Sequence, residues 1–267
     1  MTKAALSTWL RRAGLMHLAD TVRFRLLQRR YRAGNEAFRR ENPGVSLPPD
    51  YLMYESFKLS YRSYYEGGRE TAAWVKGHLA PFLPLQNQLI LDWGCGPGRV
   101  IRHLPAVIGG GCRFVGTDAN AESVAWCRAQ LPGITFLLNE MIPPLAADAG
   151  AFDAAYGISI FTHLSASAHE SWLAELLRVL RPGGVLLLTT HGGAFRPILT
   201  PAERALFDAG QLVERRHVRE GHRVFAAFQP APFLHRLFAG RLEVLRHEPG
   251  QWQGHTASQD VWVLRKM

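Results

Sequence analysis

Between residues 88 and 190 the apolar positions fall into short runs separated by amphipathic stretches. Leu89 to Trp93 is apolar apart from Asp92, and Arg113 to Thr117, Ile134 to Leu138, Phe152 to Ile160 and Val185 to Thr190 repeat the pattern. Each run has the length and composition of a strand in a buried sheet. Helices are expected between them, from about Arg99, over 121–130, and from Ala168 to Leu180. Ser167 and Glu170 have the spacing of a capping box that would start the last of these, and Arg181-Pro182-Gly183-Gly184 would stop it. Strands alternating with helices predict an α/β chain with a parallel, doubly wound sheet. After residue 191 a loop and helix lead to strand-like Val224 to Phe228, Leu242 to Arg246 and Val261 to Leu264. The last two are expected to form an antiparallel hairpin at the sheet's end.

The N-terminal third reads differently. Leu6, Trp9, Leu10, Ala13, Leu15, Leu18, Val22 and Leu26 recur at helical spacing, and Asn42-Pro43-Gly44 ends the run. An aromatic cluster follows (Tyr51, Tyr54, Phe57, Tyr61, Tyr64, Tyr65), then a helical segment from about Arg69 to Leu79. These breaks divide the chain into a basic helical arm (1–42), an aromatic segment (43–87) and a core (88–267) with an insertion at about 191–240. Charge sharpens the division. The arm holds ten basic side chains against Asp20, Glu36 and Glu41, so it carries +7 of the chain's +9, and the remaining body is nearly neutral.

Composition adds limits. At 267 residues, 47% hydrophobic and 20% charged, the chain has the mass for a substantial core, which excludes a disordered or collagen-like protein. No apolar run is long enough for a transmembrane helix, and Arg11 and Arg12 interrupt the start before a signal-peptide core develops. Cys95, Cys112 and Cys127 are too few and too scattered for a disulfide framework or a zinc site, which predicts a reducing, cytoplasmic setting.

The chemistry concentrates in Leu91-Asp92-Trp93-Gly94-Cys95-Gly96-Pro97-Gly98-Arg99. A strand running into G-x-G-x-G turns sharply and leaves backbone amides bare for a ligand. A dinucleotide fingerprint would need G-x-G-x-x-G, and position 99 is arginine. Asp118 follows Gly98 by twenty residues, at the end of the second strand, where a carboxylate can accept from both hydroxyls of a ribose.

The segment Leu91 to Arg99 resembles the glycine-rich first motif of the class I S-adenosylmethionine-dependent methyltransferases, and Gly116-Thr117-Asp118 is similar to their second, acidic motif. Phe152-Asp153 and the strand to Phe161, then Leu177 to Gly184, resemble the later motifs in order and spacing. The final Gln259 to Lys266 is similar to the tails of bacterial members associated with sugar and glycan modification. The resemblance implies a Rossmann-like, mostly parallel seven-stranded sheet with an antiparallel last strand and a helical N-terminal extension. It also implies S-adenosylmethionine as cofactor and S-adenosylhomocysteine as product. By the same resemblance, Gly94, Cys95, Gly96 and Gly98 admit the methionine part and Asp92 lies near its amino group. Asp118 with Ala119 holds the ribose, and Asn139-Glu140-Met141 contacts adenine. The family's usual Gly-Asp pair is here Asn-Glu, which leaves open whether Asn139 or Glu140 meets the adenine amino group. Tyr65 is expected at the methionine carboxylate end.

A sugar or aliphatic hydroxyl needs a base to take its proton. His163 and His191 each follow a strand at its carboxyl end, where such sheets bind ligands, and either could be that base. His103, His169, His217 and His235 are expected in solvent; Trp252 and His255 are candidates for the acceptor pocket, for which an ordinary place in the C-terminal loop is the preferred reading. No metal site is expected. The reading is O-methylation of a sugar, glycan or glycolipid precursor, with the arm holding the enzyme at an anionic membrane surface or against a glycosyltransferase, or forming a homodimer contact. Methylation of a small natural product is the neighbouring reading, and a non-catalytic cofactor-binding subunit is a third. Nucleic acid is disfavoured as an acceptor: the body is nearly neutral, and no Asn/Asp-Pro-Pro-aromatic motif follows the fourth strand.

Overall fold

The computed structural model describes residues 16–215, 221, 225–254 and 256–267. The expectations placed on Leu6, Trp9, Leu10, Ala13, Leu15, His217, Val224 and His255 lie outside the described residues.

Five parallel strands form the middle of the molecule: β1 (Leu89–Trp93), β2 (Arg113–Asp118), β3 (Thr135–Leu138), β4 (Phe152–Gly157) and β5 (Leu180–Thr190). The seven-stranded sheet is completed by β8 (Leu242–Glu248) and β11 (Asp260–Lys266), in the order β3-β2-β1-β4-β5-β11-β8. The last strand, β11, runs antiparallel to both neighbours and inserts between β5 and β8. Alternation along these strands divides the apolar groups between two cores. Leu186, Leu188, Trp262 and Leu264 face one side, and Val185, Leu187, Val261 and Val263 the other. A sheet covered on both faces explains why β1 and β5 read as nearly continuous apolar runs.

Helix α4 (Leu104–Ile108) and α5 (Ala121–Gln130) follow β1 and β2, while α6 (Ala166–Val179) leads from β4 into β5. A short hairpin of β6 (Val213–Arg215) and β7 (Ala226–Phe228) stands apart from the main sheet, between α7 (Pro201–Asp208) and α8 (Ala231–Phe238).

Several local expectations are corrected. The helix expected from Arg99 is a 3-10 turn at Ile101–His103 and then only α4, because Pro105 in its first turn allows a start but no earlier continuation. Ser165, not Ser167, caps α6 by accepting from the Ala168 amide at 3.3 Å. The complete capping box is Thr200 with Glu203 at α7. β4 ends at Gly157, and the positive φ of Ser159 (63°) turns the chain there. β5 begins at Leu180, ahead of the glycine pair. His103 and His169 are buried rather than solvated. Burial and the nearby Arg102 lower the His103 pKa to about 4, and His169 bonds the Ser165 carbonyl and the Gln229 amide.

The N-terminal helices are α1 (Met16–Glu41), α2 (Asp50–Ser56) and α3 (Tyr61–Leu79), the last longer than expected. Phe38, Met53, Tyr54, Leu59, Tyr61 and Tyr64 form one buried cluster, so the arm's helix and the aromatic segment pack together. Buried Asn35 joins them: its amide donates to the Leu59 carbonyl and accepts from the Tyr61 N–H, each at 2.9 Å. Replacing Asn35 by Ala leaves two interior backbone groups unpaired, and unfolding in urea should then require about 1–3 kcal/mol less. A loss under about 0.5 kcal/mol would show that water reaches these groups and that the anchor is idle.

Candidate active site

The carboxyl ends of β1, β2 and β4 meet at one point. The amides of Gly94 and Cys95 both donate to the Thr117 carbonyl, at 2.8 and 2.9 Å, which bends the chain off β1 at once. Gly94 takes a φ of +77°, and a β-carbon there would run into the side chain of Ile160 beyond β4. Two reasons, backbone conformation and close approach, therefore require glycine at this position.

Asp118 ends β2 beneath this turn. One carboxylate oxygen accepts from the Gly96 N–H at 2.7 Å and the other from the Asn120 N–H at 2.8 Å. Burial raises its pKa against the pull of those amides. Asp92 is buried beside it on β1, and desolvation pushes its pKa up to about 7. The Tyr156 hydroxyl, opposite on β4, faces this carboxyl without closing to a full hydrogen bond.

Two adjoining open clefts lie over this junction and share Gly94, Asp118, Ala119, Met141, Ile160 and His163. The smaller adds Asn139, Glu140 and Trp172, and the larger adds Gly96, Ser159 and the α2 residues Leu52, Glu55 and Ser56. Of the residues singled out from sequence, Gly94, Gly96, Asp118, Ala119, Asn139, Glu140, Met141 and His163 thus lie on the wall. Asp92 lies beneath it. Cys95 and Gly98 also fall outside the lining: the Cys95 thiol is buried toward Gly116, and the open side of Gly98 is filled by Leu131 and Cys127.

Tyr65 is not on the wall. It packs edge-on against His103 and against Phe38, while its neighbour Tyr64 donates to the Pro97 carbonyl at 2.8 Å and ties α3 to the glycine loop. Trp252 is likewise away from the cavities, exposed on a small hairpin of β9 (Trp252–Gln253) and β10 (Thr256–Ala257).

The two candidate bases separate. His163, in a 3-10 turn after β4, donates through Nδ1 to the Phe225 carbonyl at 2.8 Å. In the neutral ring that bond places the basic lone pair on Nε2. His191 donates to the Ala227 carbonyl at 3.0 Å and lies against Phe195 and Phe228, off the cavity wall. Burial lowers its pKa to about 4, so it stays neutral throughout the physiological range.

Between the two candidates at the third strand's end, the geometry distinguishes roles. Asn139 Oδ1 is buried with no hydrogen-bond partner while its Nδ2 donates to the Glu140 carbonyl, and the Glu140 side chain is exposed. A buried acceptor with no protein donor is open to a donor from a ligand or water. Sequence reasoning missed Glu55, Ser56 and Ser159. Only the left-handed backbone of Ser159 and its hydrogen bonds to Thr162 and Gln259 mark that position, and neither is visible in a linear pattern.

Residues 90–184 match the family described as Methyltransferase domain. A tRNA U34 carboxymethyltransferase from Cellvibrio japonicus is 34% identical over 122 residues, covering 43% of this chain and 35% of that protein. A malonyl-[acyl-carrier protein] O-methyltransferase from Enterobacter lignolyticus is 33% identical over 119 residues, covering 44% of each. The chain thus spans less than half the length of these curated relatives. Among solved structures, an S-adenosylmethionine-dependent methyltransferase from Mesorhizobium loti superposes with a TM-score of 0.55 at 17% identity, covering 74% of this chain and 100% of that one. Another, from Methanosarcina mazei, gives 0.53 at 20% identity over 71% and 96%. Residues 90–184 thus match a methyltransferase domain, and the sheet in which they are set shares the fold of solved S-adenosylmethionine-dependent methyltransferases.

Proposed function

We propose that the protein transfers a methyl group from S-adenosylmethionine to a hydroxyl of a carbohydrate or small-molecule acceptor, with His163 receiving the proton. The observation that carries this reading is one continuous wall on which the glycine turn, the Asp118 carboxylate, the unpaired Asn139 oxygen and His163 all open. Those residues fit the cofactor. Asp118 would accept from ribose hydroxyls through the lone pairs that the Gly96 and Asn120 amides leave open, Asn139 Oδ1 would accept from the adenine amino group, and the bare turn at Gly94 and Gly96 leaves room for the methionine chain. When bound, the cofactor supplies a sulfonium methyl, which leaves with its bonding pair kept by sulfur and so gives S-adenosylhomocysteine.

The protein's own work is then alignment and proton removal. Alignment of reacting groups is worth about 7–11 kcal/mol in well-oriented systems. The Phe225 carbonyl fixes the ring of His163, so that Nε2 takes the acceptor's hydroxyl proton as oxygen bonds to the methyl carbon. Ile160 and Trp172 make part of the wall apolar and limit competing water. The sugar or glycan acceptor rests on the similarity of the C-terminal strand to the tails of glycan-modifying members. The relatives named for tRNA and for a malonyl carrier protein support small-molecule or tRNA acceptors as the competing reading, and acceptor screening decides between them.

Three measurements test the proposal. Calorimetric titration should show binding of S-adenosylmethionine and S-adenosylhomocysteine that weakens roughly 10–100-fold or more in Asp118→Ala, since two charged hydrogen bonds are lost. Equal affinity in the variant would place the ribose elsewhere. With nucleotide sugars and glycans as acceptors, His163→Ala should lower turnover about 10²–10⁴-fold and leave cofactor affinity unchanged; undiminished turnover removes His163 as the base.

The third concerns pH. Asp92 has a folded pKa near 7, above the ordinary 3.8, so the empty protein holds this proton and loses stability as pH rises from about 4 through 7. A cationic cofactor favours the ionised form, so its affinity should rise about tenfold between pH 6 and pH 8 and then level off. Asp92→Asn should flatten that profile; a profile unchanged in the variant assigns the titration to another group.

A further inference from the structure

Helix α1 is amphipathic on two opposite sides, and only one of them is used by the fold. Phe24, Leu27, Tyr31, Asn35 and Phe38 face inward onto α2 and α3. Tyr54 donates to Asp20 at 2.6 Å and Gln28 donates to Asp50 at 2.9 Å, which fixes the helix in this rotation. The periodic set read from the sequence, Leu18, Val22 and Leu26, is therefore on the outside, where these residues are 64%, 51% and 59% exposed. They form one stripe, four residues apart. A helix that buries one face ordinarily presents polar groups opposite.

The stripe is embedded in arginine. At about 100° per residue, Arg25 and Arg29 project into the same sector, Arg23 and Arg30 border it on one side and Arg32 on the other. All five are exposed. The nearby acids neutralise little of the face: Asp20 is turned inward to Tyr54, Glu41 pairs with Arg62, and Glu36 offsets Arg32 alone. Arg23, Arg25, Arg29 and Arg30 make no ion pair among the described residues.

We propose that this outward face of α1 docks the protein on an anionic lipid bilayer. The occupant must satisfy aliphatic and guanidinium groups together. A nucleic-acid backbone would pair with the arginines and leave three aliphatic side chains in water. A second copy related by a two-fold axis would set the arginine stripe against itself. An acidic bilayer accepts both: the aliphatic groups enter the boundary between headgroups and acyl chains, and the arginines reach lipid phosphates along their apolar stems. No described helix is long and apolar enough to cross a membrane, so the contact is in-plane and reversible. Helix α2 lies between this face and the cavity, bound to α1 through Tyr54 and Asp50 and lining the cavity with Leu52, Glu55 and Ser56. Docking thus sets the cavity's N-terminal wall one helix layer from the lipid, which suits an amphiphilic or lipid-linked acceptor. The docking itself does not depend on the methyltransferase reading.

The test is co-sedimentation of the full chain with vesicles of phosphatidylcholine alone and of phosphatidylcholine with one third phosphatidylglycerol. Binding is expected only to the anionic vesicles, and to weaken with added salt. Arg25→Gln with Arg29→Gln should lower the partition coefficient roughly five-fold per residue. Leu18→Gln with Val22→Gln and Leu26→Gln should lower it by about tenfold or more. All five positions are exposed, so thermal melting should match the wild type in both variants. Three results overturn the proposal: equal binding to neutral and anionic vesicles, no binding to either, or variants that sediment like the wild type. A wild-type dimer that the aliphatic variant converts to a monomer, or tRNA binding in place of vesicle binding, also overturns it and names the occupant instead.

Discussion

A single carbonyl organises the functional end of this molecule. Thr117 accepts from two successive amides, Gly94 and Cys95, so the chain leaving β1 is stitched to the end of β2 before it can extend further. This pairing needs the left-handed backbone of Gly94, and the absence of a side chain there lets Ile160 close in from β4. Three strand ends are thereby gathered within reach of one ligand. Once the turn is made, the Gly96 amide points at Asp118, and the cavity floor consists of backbone donors and a carboxylate already in their working positions. Preorganisation of this kind spares the protein a rearrangement when charge arrives.

The order of elements was legible because each carries a periodic signal of its own. β1, β2, β4 and β5 are short apolar runs, and the glycine turn with Asp118 twenty residues later is a local constellation. The position of β11 between β5 and β8 is a long-range choice, supported by Trp262 and Val263 filling opposite cores. Failures came where two neighbouring residues offered equivalent local chemistry. Ser165 and Ser167 both stand near the start of α6 with plausible capping chemistry, and only the extended backbone at Ser165 sets it as the cap, with Ser167 already inside the helix. Tyr64 and Tyr65 are about 100° apart on one helix, so which of them meets the glycine loop depends on the rotation of α3.

The same limit explains the histidines and the arm. A buried His169 with two partners and an exposed His235 look alike in sequence, since burial is a property of what packs on top. On α1, both faces satisfy helical periodicity. Leu18, Val22 and Leu26 carry the more regular pattern, but the aromatic groups Phe24, Tyr31 and Phe38 bury more surface against the tyrosines of α2 and α3 and therefore decide the rotation.

Charge is segregated by that rotation. The cavity wall among the described residues presents carboxylates, Glu55, Asp118 and Glu140, and neither lysine nor arginine. Such a wall favours a ligand carrying an ammonium and a sulfonium. Arg23, Arg25, Arg29 and Arg30 of α1 are held one helix away, on the far side of α2, with Asp20 and Asp50 consumed in fixing the contact. If α1 turned by half a revolution, its arginines would lie against the tyrosine cluster and desolvate without partners, which is far costlier than exposing three aliphatic side chains. The inward aromatic face thus keeps two oppositely charged surfaces apart in one small protein: an acidic cavity, and a basic, partly apolar exterior.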